Sequence, residues 1–129
     1  MIVDASAILA ILFEEPDADL YNRSISDSLD DVLISPINFL EAAIKADKRG
    51  SETSKALDDI MRIGRINLAS VSANQTRLAR EAYQRYGKGN HPAKLNIGDC
   101  FAYALAKARS EPLLYKGGDF TQTDVEAAL

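Results

Sequence analysis

Residues 2–13, IVDASAILAILF, carry a short strand into a helix through one carboxylate. IVD (2–4) reads as the strand, and ASAILAILF (5–13) as a mostly apolar helix. The junction returns near the other end of the chain, where PLLYK (112–116) reads as a strand that leaves through Gly117 and Gly118 into Asp119. Between them, apolar runs of strand length alternate with helical patterns. DVLIS (31–35) and INLASV (66–71) are the other strands. Helices are expected from Pro16 to about Leu29, over 36–49 up to Gly50, and over 51–63 up to Gly64. Others are expected over 73–86 behind a Ser72–Gln75 capping box, from Asn96 to Arg109, and over 121–129. This alternation predicts an α/β fold in one domain, residues 1–129, with a parallel sheet of about four or five strands flanked by helices on both faces. Such sheets bind ligands beyond the carboxyl ends of their strands, where Asp4 and Asp119 fall.

The bulk composition excludes several classes. With 129 residues, 47% apolar and 26% charged, the chain has the balance of an ordinary soluble domain. One cysteine, Cys100, rules out an intrachain disulfide and agrees with a reducing cytoplasm. One histidine and one cysteine cannot assemble a zinc site of the usual pattern. The first apolar run is interrupted by Asp4 and closed by Glu14 and Glu15, too short to span a membrane and without a basic leader. A net charge of −4 means that nucleic-acid binding has to come from a local patch or from metal ions.

Two further acids join the pair. In the helix over 36–49, Ile37, Leu40 and Ile44 form an apolar stripe, and Glu41 takes the i+4 place in it, which turns its carboxylate inward. A buried carboxylate is costly unless paired, protonated or bound to metal. Asp99 lies in the first turn of the helix behind Asn96, and the apolar CFAYALA (100–106) marks that helix as deeply buried. Each acid has a plain alternative. Asp4 can be a helix cap, Glu41 can pair with a base, Asp99 can complement a helix dipole, and Asp119 can sit in a turn. Together they fall at strand ends or at the start of a buried helix. Converging carboxylates want a hard cation, Mg²⁺ or Mn²⁺, and the two glycines are expected to clear space beside Asp119.

With IVDASA (2–7), NFLEAAI (38–44), YGKGNHPAKLNIGDCFAYALAKA (86–108) and LLYKGGDFTQTDV (113–125), the chain resembles the PIN-domain ribonucleases of the VapC toxin type over nearly its whole length. The resemblance implies a PIN-like fold and a Mg²⁺-dependent endoribonuclease of a toxin–antitoxin pair, with Mn²⁺ as a substitute. It implies that Asp4, Glu41, Asp99 and Asp119 are the acidic quartet. Asp4 and Asp99 would bind the metal, Glu41 and Asp119 a second ion or the attacking water, and Ser6 would assist. Gly118 stands where members of this branch often carry a polar or acidic residue. The implied partners are an RNA substrate, a VapB-type antitoxin and a second copy of the chain, all in the cytoplasm.

Candidate RNA contacts are Arg85, Lys88, His91, Lys94 and Lys116, with Arg77 and Arg80 on the preceding helix. Residues 37–61 offer surfaces for dimer or antitoxin contact that core packing explains equally well. The main alternative keeps the fold without the chemistry, as a binding module acting with a DNA-bound partner. A phosphotransfer receiver needs an aspartate at the end of the third strand, and NLASVS (67–72) has none. GGDF (117–120) lacks the further acid of the diguanylate cyclase signature.

Overall fold

The computed structural model describes all 129 residues. Strand β1 (Ile2–Val3) is followed by helices α1 (Ala5–Leu12) and α2 (Ala18–Ser26). Strand β2 (Val32–Ile34), helices α3 (Pro36–Lys48) and α4 (Ser51–Ile63), and strand β3 (Ile66–Leu68) come next. Helices α5 (Ala73–Tyr86) and α6 (Ile97–Arg109) then lead to strand β4 (Leu113–Leu114). The sheet is parallel throughout, in the order β3-β2-β1-β4, with Ile2 opposite both Leu33 and Leu113.

Side chains alternate across a strand, and here the alternation builds two cores. Val3, Val32, Ile34 and Leu114 face one core, closed by α1 to α4 through residues such as Ile8, Ala42, Ala46 and Leu57. Ile2 and Leu113 face the other, closed by α5 and α6 through Ala82, Ala102 and Leu105, with Leu95 from the loop between them. Helices thus cover both faces of a four-stranded parallel sheet, as the strand–helix alternation predicts.

Several expectations need correction. The strands are shorter than read, and Asp4 lies just outside β1. Pro16 stands in a turn, so α2 begins at Ala18 and stops at Ser26, well before Leu29. The Ser72 cap accepts the Gln75 N–H at 3.0 Å, but the Gln75 amide donates to Ser70 O, so the capping box is only half made. No helix forms over 121–129. Thr121 and Thr123 donate their hydroxyls to the carbonyls of Gly118 and Phe120, local bonds that compete with a helix. Asp124 is drawn to Tyr103 Oη at 2.6 Å and Lys107 Nζ at 3.1 Å. Beyond it, Leu113 N–H donates to Glu126 O and Ala128 N–H to Leu113 O, so the chain end covers the β4 edge through a single bridge, Leu113 to Ala127.

A cavity of about 1160 Å³ lies by the amino ends of β2 and β3, between α2 and α4. The acids lie at the carboxyl ends. That cavity is therefore not where the carboxylates meet.

Candidate active site

Asp4 caps α1. Its Oδ2 accepts the Ser6 backbone N–H at 3.0 Å and the Ser6 hydroxyl at 2.5 Å. The Ser6 oxygen accepts the Lys116 N–H at 2.9 Å, so one serine links the exits of β1 and β4. Capping does not account for all of Asp4, which is 5% exposed yet has no basic partner. Burial pushes its carboxyl above the usual range. The Ser6 hydrogen bonds oppose that rise, and the charge of Asp119 adds to it.

Glu41 is half-buried on α3. Burial raises its pKa first and the Asp4 charge second, while Lys45 and the Asn38 amide pull it back. Asp99 completes a capping box at the start of α6. Asn96 Oδ1 accepts the Asp99 N–H at 2.8 Å, and Asp99 Oδ2 accepts the Asn96 N–H at 3.0 Å. Its carboxyl is nonetheless pushed up to about 7, by burial first and then, against the Asn96 hydrogen bond, by the charges of Asp4, Asp119 and Glu41. Asp119 is exposed on the loop after β4. Its charge reaches both Asp4 and Asp99, so the fold brings Asp4, Glu41 and Asp119 all within electrostatic reach of Asp99.

These residues fit a hard divalent cation. The donors are oxygens, Asp4 is taken almost wholly out of water and Asp99 partly, and neutral Ser6 and Asn38 stand where a compensating base would. No three of the acids close around a single point. Mg²⁺ does not need that, because it is commonly held by one or two carboxylates with waters in its other positions.

Two contributors to the site, Asn38 and Gly98, escaped the sequence reading. Asn38 is 1% exposed and its amide donates to Asp4 Oδ1 and Glu41 Oε1, each at 3.3 Å, and to Gly98 O at 2.9 Å. A β-carbon on Gly98 would lie 1.8 Å from Glu41 Oε1, so this glycine gives the carboxylate its place against α6. The stripe used to read Glu41 inward was the wrong one. Leu40 and Ile44 are 57% and 46% exposed, and the buried line of α3 is Asn38, Ala42 and Ala46.

The glycines before Asp119 also read differently. A β-carbon on either Gly117 or Gly118 would meet no protein atom within 4 Å, so neither is required by packing. Gly117 is needed for its backbone, at φ +99°.

Of the candidate RNA contacts, Lys88 and Lys94 are exposed and make no ion pair, as are Arg77 and Arg80. Their loop is compact. Lys88 N–H donates to Leu95 O and Leu95 N–H to Tyr86 O, while His91 Nδ1 accepts the Ala93 N–H and its ring stands edge-on to Tyr86. Arg85 lies over the Tyr86 ring and 3.9 Å from Asp124. The Lys116 ammonium is engaged by Glu15 and by Asp17, the latter at 2.8 Å, and those two carboxylates raise its pKa. It is a tie between loops and not a free cation beside the glycines.

Residues 1–126 match the PIN-domain family profile. Ribonuclease VapC of Mycolicibacterium smegmatis is 46% identical over 129 residues, covering 98% of each chain. Ribonuclease VapC28 of Mycobacterium tuberculosis is 46% identical over 131 residues, covering 100% of this chain and 98% of its own. Ribonuclease VapC30 of the same organism is 42% identical over 127 residues, covering 97% and 95%. The crystal structure of Mycobacterium tuberculosis VapC20, described as a sarcin-ricin loop cleaving toxin, matches with a TM-score of 0.75 over 96% of this chain and 95% of that one. At 18% identity that likeness is one of fold. The profile match and the full-length relatives together show that the chain belongs to the PIN-domain family, in its VapC ribonuclease branch.

Proposed function

We propose that the chain, as a single PIN domain over residues 1–129, hydrolyses RNA phosphodiester bonds as the toxin of a VapBC-type toxin–antitoxin pair. The observation that carries this reading is the group of four acids, with Asp4 buried, Asp99 half-buried and no basic side chain bonded to either. Asp4 and Asp99 would hold Mg²⁺, or Mn²⁺ in its place. Glu41 and Asp119 would hold a second ion, or orient the attacking water and take its proton. When bound, the cation neutralises charge on the phosphate and makes a nearby water more acidic. Ser6 is poorly suited to attack. Its proton is committed to Asp4 Oδ2, its oxygen already accepts from Lys116, and no histidine bonds to it, so its part is to fix Asp4.

Lys88 and Lys94, with Arg77 and Arg80, would grip the RNA backbone at the α6 end of the site. Arg85 and His91 would contribute after leaving their present partners, whereas Lys116, tied to Glu15 and Asp17, would not. The VapC relatives imply a cognate VapB-type antitoxin, and we expect a homodimer. No helix is long and apolar enough to cross a membrane, and we place the chain in the cytoplasm with its substrate. The intact set of acids and the ribonuclease names of its relatives weigh against a silent binding module. The test is cleavage of total RNA by the purified protein with Mg²⁺, with Mn²⁺ and with chelator, followed by sequencing of the new ends. Cleavage confined to the metal-containing reactions is expected, and no cleavage with either metal would overturn the reading.

A further inference from the structure

Asn38 is a buried amide that touches three different elements. One acceptor is the cap carboxylate behind β1, one lies on its own helix α3, and one is a backbone carbonyl in the first turn of α6. An amide has only two N–H hydrogens. The short contact to Gly98 O takes one of them. The other is shared by Asp4 Oδ1 and Glu41 Oε1, which are equally distant at 3.3 Å. That hydrogen lies between two carboxylates, and burial first and the Asp4 charge second raise the Glu41 carboxyl.

The far side of the same amide makes no bond. Asn38 Oδ1 is buried without a hydrogen-bond partner. Reversing the amide would not help, because its oxygen would then face three oxygens. A buried acceptor left unmet is unfavourable, and an apolar side chain of similar size would avoid it. What the position retains is therefore its donor side. Gly98 supports the same arrangement, since only a residue without a β-carbon lets Glu41 lie where the amide reaches it.

We propose that Asn38 is a positioning residue of the metal site. It sets the spacing of the Asp4 and Glu41 carboxylates and ties both to the turn of α6 that carries Asp99. This inference rests on the metal-dependent ribonuclease reading.

The wild-type protein is measured first, for Mg²⁺-dependent RNA cleavage and for the rise in melting temperature on titration with Mg²⁺ alone. If it does neither, the ribonuclease reading has failed before Asn38 is examined. The Asn38→Leu protein is then compared with it. The half-saturating Mg²⁺ concentration should rise and kcat should fall, each by roughly tenfold or more, as is usual when a group supporting a metal ligand is removed. KM for RNA should stay within about twofold of wild type, because Asn38 is buried and cannot touch the substrate. With Glu41→Gln added, the two losses in Mg²⁺ affinity should be far from additive, since Asn38 acts partly through Glu41. A lower melting temperature with unchanged Mg²⁺ half-saturation and kcat would show a merely structural role and overturn the proposal. If Asn38→Leu does not fold, Asn38→Thr decides, since its hydroxyl keeps one donor. It should show the same two shifts at smaller size, and wild-type values of both would equally overturn the proposal.

Discussion

Gly98 and Glu41 are fitted to each other across two helices, with a β-carbon on the glycine falling 1.8 Å from the carboxylate oxygen. The atom in the way is the end of a flexible side chain, so it can move aside at little cost to the fold. Gly98→Ala should therefore separate stability from activity. Alanine is the better helix former, so the melting temperature should hold or rise, by an equivalent of up to ~1 kcal/mol. The displaced Glu41 should lower RNA cleavage by on the order of tenfold or more. Melts and cleavage rates on one preparation check this, and full activity in a stable Gly98→Ala protein would remove Glu41 from the site.

Asp99 makes stability depend on pH. A folded carboxyl titrating at about 7 binds its proton more tightly than the unfolded one, near 3.8. The unfolded chain therefore holds fewer protons between those values, and stability falls as pH rises through them. The contribution is fully present below about pH 4 and lost above about pH 7. In chelator, Asp99→Asn should be more stable than wild type at pH 8, by on the order of 2 kcal/mol, with the gap closing toward pH 4. It should also lose cleavage, and its melting temperature should respond less to Mg²⁺. A pH-independent difference in thermal melts would count against the buried, charge-crowded setting.

Mg²⁺ bound at Asp99 would have to displace that same proton. The wild-type melting temperature should accordingly rise more on Mg²⁺ addition at pH 8 than at pH 6. Equal shifts at the two pH values would place the ion away from Asp99.

Gly117 and Gly118 should behave differently although they are neighbours. Gly117→Ala forces an L side chain into φ +99° and should cost about 1–2 kcal/mol, with a loss of activity as the Asp119 loop shifts. Gly118→Ala meets open space at an ordinary φ and should stay within about 0.5 kcal/mol of wild type. Urea melts of both variants would decide, and equal costs would contradict the backbone assignment.

Lys116→Met tests whether this lysine belongs to the RNA track. Its ammonium is committed to Glu15 and Asp17, so KM for RNA should barely change. Lys88→Ala combined with Lys94→Ala should raise KM and flatten its salt dependence, because two phosphate-reaching cations are gone. The reverse pattern in a salt titration would move the track to the Lys116 side.

Asp4 and Asp99 were legible in the sequence because each is a local signal, one at a strand end and the other three residues after an asparagine cap. The alternation of strands and helices placed those signals at one edge of a parallel sheet. Asn38 was not legible. The buried line of α3 is made of an asparagine and two alanines, while its large apolar residues Leu40 and Ile44 lie outside, so hydrophobicity pointed to the wrong face. The helix expected over 121–129 failed for a related reason. Its own threonines bond backward, and Asp124 finds Tyr103 and Lys107 on a helix distant in sequence.

The sequence by itself determined the α/β layering and marked Asp4 and Asp99 as candidates at the carboxyl end of the sheet, because strand ends and helix caps are signals of a few residues. Only the tertiary structure decided which groups hold those acids. The Asn38 amide spans three elements, Gly98 is required by a side chain 57 positions away, and Lys116 is claimed by carboxylates on the loop after α1. Such contacts arise from the packing of α3 and α1 against α6 and β4, and no local pattern in the chain encodes them.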